Sequence, residues 1–496
     1  MTVAESGEAE GVLAEVIRED DLTTDNPTVE LANKAGHITA GLTIGADLSK
    51  AKPLWANEAL CSPGVKLHGA GFIVSPTKAA QLGLGKVAGL DRHIRAYRNG
   101  RDLADRPRGV MVIDLFGLTA EQVRDRFPAV YGHVVETVKP ERDENNRATY
   151  RDNWWIFGEP RSDFRPALEG LPRFIATIET AKHRFFQFLD ASVLPDNMLV
   201  NIAVADSRLL AVLSSRVSAI WMLGAGGTLE DRPRYNKTRT FDPFAFPSVN
   251  QIPPSLADTL ASLGERLDAF RKDRIAAHPH LTMTGLYNAL ERLRELASRA
   301  DVPPLSEAER DIKDAGQIQV LRDLHDEIDR AVLEAYGWTD LAPALVGMPG
   351  ATTPSPHKSP AQIAAEEEVL VRLVALNQAR QTSEARGDIE WLRSEYQVPR
   401  LRNKAPQPDR AKQVAADLGG SADGAAQAPA WPSDGLDQIR AVRSVLATAT
   451  TPLAPEDIAR RFRGGRNRAA RVETVLRHMV ETGMVRANGR NHFLPR

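Results

Sequence analysis

The stretch Asp231-Arg-Pro-Arg-Tyr-Asn-Lys-Thr-Arg-Thr-Phe-Asp-Pro-Phe-Ala-Phe-Pro247 divides the chain into two kinds of pattern. It interleaves four cations, Arg232, Arg234, Lys237 and Arg239, with Tyr235, Phe241, Phe244 and Phe246. Pro243 and Pro247 then stop any regular element. Guanidinium and ammonium groups neutralise phosphates, and an arginine fork also reads guanine edges. The aromatic side chains either stack on a ligand or anchor the segment in a core. Before this stretch, short β-prone runs alternate with Gly and Pro. After it, apolar residues recur at helical spacing.

Upstream, residues 51–250 read as a mixed α/β region. Gly109-Val-Met-Val-Ile-Asp-Leu-Phe116 and Arg173-Phe-Ile-Ala-Thr-Ile178 have strand composition. Trp154-Trp-Ile-Phe157, 185–189 and 198–204 are expected to be further strands. Ser75 before Pro76 predicts a capped helix through 84, and 119–126 predicts another, ended by Phe127-Pro128. Residues 94–101 read as a basic segment turning at Asn99-Gly100. One buried helix is expected over 207–223, broken by Gly224-Ala-Gly-Gly227. Residues 1–50 are acidic and mixed, with a short strand at 12–17. They read as an N-terminal extension, the tail of a preceding domain.

Downstream, Leu256, Leu260, Leu263, Leu267 and Phe270 share one helical face. Two more such series, from Leu286 and from Ile318, complete a helical domain over 251–340. Residues 341–360 are rich in Pro, Gly, Ser and Thr and read as a linker. Helix returns over 361–399, and 400–435 is low-complexity linker, expected to be disordered. Residues 436–496 hold twelve arginines, no lysine and five acids, a net +7. Three predicted helices followed by a hairpin with an Asn-Gly turn make a winged-helix-like pattern. Arg466, Arg468, Arg471, Arg486 and Arg490 lie on its third helix and wing, where a DNA reader carries its contacts. The fold class is therefore α+β.

The whole chain, 496 residues, has a formal charge of −2, so a nucleic-acid surface must be a local patch. Its single cysteine, Cys61, excludes a disulfide framework and fits a cytoplasmic location. The acidic N-terminus lacks the pattern of a signal peptide, and no run of about 18 apolar residues predicts a membrane span. There is no phosphate-binding P-loop, HExxH, CxxC or GxSxG motif. His278 and His280 lack a third nearby ligand, and His68, His93 and His183 are scattered among basic residues. Gly224 to Gly227 superficially resembles a nucleotide turn, but it follows a probable helix where a cofactor turn must follow a strand. Arg98, Arg101, Arg161, Lys182 and Arg184 join the four cations of 231–247 as candidate DNA-binding residues, forming a positive groove.

Several motifs in order carry a resemblance. Leu60-Cys-Ser-Pro-Gly-Val-Lys-Leu-His-Gly-Ala-Gly-Phe-Ile-Val74, Tyr150-Arg-Asp-Asn-Trp-Trp-Ile-Phe-Gly-Glu-Pro-Arg161, Pro195-Asp-Asn-Met198 and the stretch from Arg234 to Pro247 come first. Leu281-Thr-Met-Thr-Gly-Leu-Tyr-Asn288 and Leu324-His-Asp-Glu-Ile-Asp329 follow. Together, over about residues 35–400, they resemble the target-recognition half of the MmeI-like, type IIL DNA adenine methyltransferases of restriction–modification and phage-defence systems. That family uses S-adenosylmethionine and an Asn-Pro-Pro-Phe/Tyr motif on the flipped adenine. Asn-Pro-Pro does not occur here: Asn26-Pro27 is followed by Thr28. The resemblance implies the specificity half of such an enzyme, with no cofactor site and no catalytic residue of its own. Its catalytic half would precede residue 1 or be a separate methyltransferase subunit, with a nuclease subunit as a further possible partner. Double-stranded DNA is the expected ligand. A scaffold subunit, a self-contained enzyme binding S-adenosylmethionine at 224–227 and a non-functional gene fragment are the rival readings.

Overall fold

The computed structural model describes residues 11–20, 28–36, 38, 44–229, 232–248, 250–406, 431–432, 434–447, 453–463, 468–481, 485–488 and 492–495. They fall into two units, Met1–Lys412 and Gln413–Arg496, and the architecture is α+β.

In the first unit, β1 (Gly11–Asp20) and β2 (Thr28–Gly36) form an antiparallel ribbon. The strands β3 (Cys61–Pro63), β4 (Ile73–Val74), β5 (Ile94–Arg98), β6 (Met111–Ile113), β7 (Arg173–Ile178), β8 (Gln187–Asp190), β9 (Leu194–Pro195) and β10 (Leu199–Ile202) follow. They build two four-stranded sheets, ordered β4-β6-β5-β9 and β3-β10-β7-β8. The second is antiparallel throughout. In the first, β5 and β9 run parallel. The chain passes from one sheet to the other at Asp196, whose amide donates to Arg98 O at 2.8 Å and whose carboxylate accepts from the Tyr97 hydroxyl at 2.5 Å.

Two apolar cores result. One packs β4, β5 and β6 against the helices Pro76–Gln81, Ala120–Arg126 and Pro128–Thr137 through Phe72, Val112, Val123 and Val134. The larger joins the β3-β10-β7-β8 sheet to Pro254–Ala277, Met283–Ser298, Ile318–Ala335 and Pro360–Ala385. Phe174 and Trp221 share it with Leu260, Leu290, Ile328 and Val369. The boundaries expected at 250 and 340 thus fall inside one continuous core.

Several local expectations change. Residues 154–157 form a turn after the helix Ala148–Asp152. Their apolar character serves packing, and the Trp155 indole donates to Leu118 O at 2.8 Å. Residues 94–98 are strand, and Asn99 caps a helix, Gly100–Ala104, through a reciprocal bond with Asp102. Phe127 ends one helix, but Pro128 opens the next, because its missing N–H costs nothing at a first helical position. The helix expected over 207–223 is two, Ser207–Leu213 and Arg216–Ala225, bent by 57°. Ser215 caps the second and forces the break. No single helix is long and apolar enough to cross a membrane, and the residues of this bent pair are mostly buried. The 341–360 segment is no free linker: Ala351 and Thr352 are buried.

The second unit contains the helices Gly435–Ala447, Pro455–Arg460 and Arg468–Glu481 and an antiparallel pair of strands, Val485–Asn488 and His492–Pro495. Val442, Leu446, Ile458, Val472, Leu476 and Val485 form its core. Trp431, inside the segment expected to be disordered, packs edge-on against Phe462 with centroids 5.2 Å apart. Residues 407–430 and the Asn-Gly turn's Gly489 lie outside the described residues.

Candidate nucleic-acid interface

The closing stretch 232–247 resolves the question of its aromatics. Tyr235, Phe241, Phe244 and Phe246 are all buried, and Phe244 meets Phe246 edge-on at 4.8 Å. They anchor the segment and leave no face for a base. Side chains from distant elements hold its backbone. Asn57 Nδ2 donates to the carbonyls of Phe241, Asp242 and Phe244 at 2.8–3.0 Å. Asn377 Nδ2 donates to Pro243 O at 2.7 Å, and the Trp221 indole to Thr240 O at 3.0 Å. Gly226 ends the preceding helix, and a Cβ there would sit 2.3 Å from Arg234 O. The glycine run is therefore a helix terminus feeding a turn and a two-stranded ribbon, β11 (Thr228–Leu229) with β12 (Arg232–Pro233).

The candidate cations divide by what they face. Arg184 is buried and donates to Thr177 Oγ1, Ile178 O, Glu179 O and Pro233 O. Burial pulls its guanidinium down to about 10. It holds β12 beside β7 and has no group turned to solvent, so it does not belong to a DNA surface. Arg161 sits at φ 56°, donates to Gly64 O at 2.9 Å and pairs with Glu159 at 2.9 Å. Arg234 pairs with Glu179 at 2.5 Å and Lys237 with Asp242 at 2.7 Å. Burial alone would lower the Lys237 ammonium, but the Asp242 carboxylate outweighs it and holds the ammonium above its usual range. Arg98 donates to Tyr97 O at 3.0 Å. Arg239 is exposed.

Three cations are brought together. Arg101, Lys182 and Arg232 line one cavity of about 820 Å³ with Asn99, Asp196 and Thr284. They come from the capped helix Gly100–Ala104, the loop between β7 and β8, and β12. Arg101 is exposed and reaches Asp105 at 3.5 Å, a weak surface pair. Arg232 is exposed and has no side-chain partner among the described residues. Lys182 donates to Asn288 Oδ1 at 2.7 Å. A second cavity of about 510 Å³ shares Lys182, Thr353 and Pro354 with the first.

In the second unit, Arg471 is exposed on the helix Arg468–Glu481, whose other face buries Val472, Leu476 and Met479. Arg468 is turned inward and donates to Phe462 O. Arg466, Arg490 and the side chain of Arg486 lie outside the described residues.

A buried polar network escaped the sequence reading. Arg216, Arg271 and Arg294 are fully buried with Glu291, His325, Asp326 and Asp329. Arg294 meets Asp326 at 3.0 Å, and Tyr287 Oη lies 2.7 Å from Arg271 Nη1 and 3.0 Å from His325 Nε2. Glu291 accepts the amides of Gly350 and Ala351 at 2.7 and 3.2 Å, and Arg216 donates to Met348 O and Pro349 O. The network straps 348–352 onto the helices. Its signal was present: His325, Asp326 and Asp329 interrupt the apolar face of Leu321, Leu324 and Ile328. Among the described residues no group of three His, Cys, Asp or Glu could hold a metal ion. His280 faces Asp311 at 3.3 Å, and His93 Nδ1 lies 2.8 Å from Asp114 O.

No family model matches the chain, and no curated protein matches it. It is similar to a solved structure of the type IIL restriction-modification enzyme MmeI in complex with DNA, with 17% identity and a TM-score of 0.49. The likeness covers 75% of this chain and 42% of that one, so the chain spans less than half of that protein's length. A likeness of this strength decides nothing about function.

Proposed function

We propose that the chain binds double-stranded DNA and supplies sequence recognition to an S-adenosylmethionine-dependent adenine-N6 methyltransferase of a restriction–modification or phage-defence system. The observation that carries the reading is the convergence of Arg101, Lys182 and Arg232, from three separate segments, on one open cavity. Arg161, Arg234 and Lys237 are matched by a carboxylate and Arg184 by carbonyls, whereas among the described residues no carboxylate pairs with Lys182 or Arg232. Charge left available in a concave site suits a phosphate backbone, which positions the protein while neighbouring side chains read base edges. Arg471 and the winged-helix-like arrangement of the second unit add a further backbone contact. In this reading methyl transfer belongs to a methyltransferase domain or subunit acting with this chain. The test is selection by the full chain from a randomised duplex pool at low salt. Enrichment of one sequence supports a specificity module. Retention of duplexes with no enrichment, or no retention, overturns it.

A further inference from the structure

Lys182 differs from the cations around it in what holds it. Arg234 and Lys237 each face a carboxylate, which cancels their charge. Lys182 is held by a neutral oxygen, Asn288 Oδ1, on the helix Met283–Ser298. The same oxygen lies 2.8 Å from His183 Nε2. An ammonium only donates, so the carboxamide must turn its oxygen and not its NH₂ to this side. His183 Nε2 therefore carries the hydrogen and donates to the same atom.

The other ring nitrogen completes a clamp. Burial pulls the His183 imidazole below its usual range, against the Asn288 bond and the Glu291 charge. Thr352 Oγ1 lies 3.0 Å from Nδ1 and 3.2 Å from Glu291 Oε1, so its single hydroxyl bridges the ring and the carboxylate. Thr352 sits on the 348–352 strap that Glu291 grips by its amides, and its carbonyl accepts from Arg184 N at 2.7 Å. Of the acids lining the two cavities, Glu295 and Glu309 are engaged by Arg292 at 3.4 and 3.6 Å, Glu291 by the strap amides, Asp105 by Arg101 and Asp196 by the Tyr97 hydroxyl. The loop 181–184 is thus fixed from both sides, and among the described residues no carboxylate pairs with the Lys182 ammonium.

We infer that Asn288 is a positioning residue that presents the Lys182 ammonium, uncancelled, to a phosphodiester of the nucleic-acid backbone, with Thr352 locking His183 between helix and strap. The inference rests on the reading of the cavity as a DNA surface. A carboxylate at 288 would hold the lysine equally well and neutralise it.

The experiment compares Asn288→Ala and Asn288→Asp in the full chain by two readouts. One is the rate of Lys182 acylation by an amine-reactive ester, read by peptide mass spectrometry without DNA. The other is duplex affinity across a salt series. Asn288→Ala should raise Lys182 acylation several-fold and weaken binding about fivefold, the equivalent of one modest hydrogen bond. Asn288→Asp should leave Lys182 protected, yet weaken binding more than alanine does and lower the log–log salt slope by about 0.9, one phosphate contact. In a Lys182→Ala background Asn288→Asp should have no further effect. Unchanged Lys182 acylation in Asn288→Ala overturns the clamp. Raised acylation with unchanged DNA binding leaves the clamp standing and overturns its role toward a phosphate, and with it the DNA reading of this cavity.

Discussion

Replacing Asn57 by alanine removes the side-chain ties between the 54–57 turn and the closing stretch and leaves the Leu54 amide on Asp242 O at 2.9 Å. Asn57 is 1% exposed, and its Nδ2 lies 2.9, 3.0 and 2.8 Å from the carbonyls of Phe241, Asp242 and Phe244. Two hydrogens serve three acceptors, so at most two net bonds are lost, about 2 kcal/mol at typical values. Asp242 O keeps the Leu54 amide and Phe241 O keeps the Phe244 amide, so Phe244 O alone of the three loses its donor, which raises the cost to about 3 kcal/mol. At about 3 kcal/mol, local opening becomes roughly 150-fold more frequent. Hydrogen exchange by mass spectrometry reads this in peptides over 236–248. The amides of Thr240, Asp242 and Phe244 are protected there by bonds to Asn236, Lys237 and Phe241 at 2.8–3.1 Å. Asn57→Asp should accelerate exchange further, because it sets a carboxylate against three carbonyls. Exchange within about threefold of wild type in both folded variants would mean that aromatic burial alone holds the stretch, and would refute the reasoning.

Three further outcomes are expected. Burial pushes the Asp102 carboxyl up, but Arg108 and the amides of Arg108 and Asn99 pull it further down, to a net value below its usual range. Its contribution is therefore present above the unfolded value of about 3.9 and lost as pH falls through the folded value. Asp102→Asn should cost about 2 kcal/mol at neutral pH, and thermal unfolding should show the gap closing below about pH 4; a gap independent of pH contradicts this. Arg184→Ala should destabilise by about 3 kcal/mol, because it strips donors from buried carbonyls, and in the protein that remains folded it should leave the salt slope of DNA binding unchanged. Arg471→Ala should do the reverse, lowering that slope by about 0.9 while the thermal midpoint holds.

Strands and capped helices were legible where the local signal was complete. Arg173–Ile178 and the Ser75-Pro76 start are read as strand and cap in both sequence and structure. Trp154-Trp-Ile-Phe157 misled, because four apolar residues in a row carry no period and pack as well in a turn as in a strand. The 341–360 segment misled for a related reason. Pro, Gly and Thr composition marks irregular backbone, but the partners that bury it, Glu291 and Arg216, come from other elements. Among the candidate cations, composition gave the set but not the division. Arg184 and Lys182 are two residues apart in one basic run, and only the fold turns one inward to carbonyls and the other toward a cavity.

The most direct measurement is duplex binding by the full chain from 50 to 200 mM salt, wild type against Arg101→Ala/Lys182→Ala/Arg232→Ala. Three phosphate contacts predict a log–log slope shallower by about 2.7, with the largest loss of affinity at the lower salt and an unchanged unfolding transition. A slope equal to that of the wild type, with the triple variant folded, would contradict the assignment of this cavity to DNA.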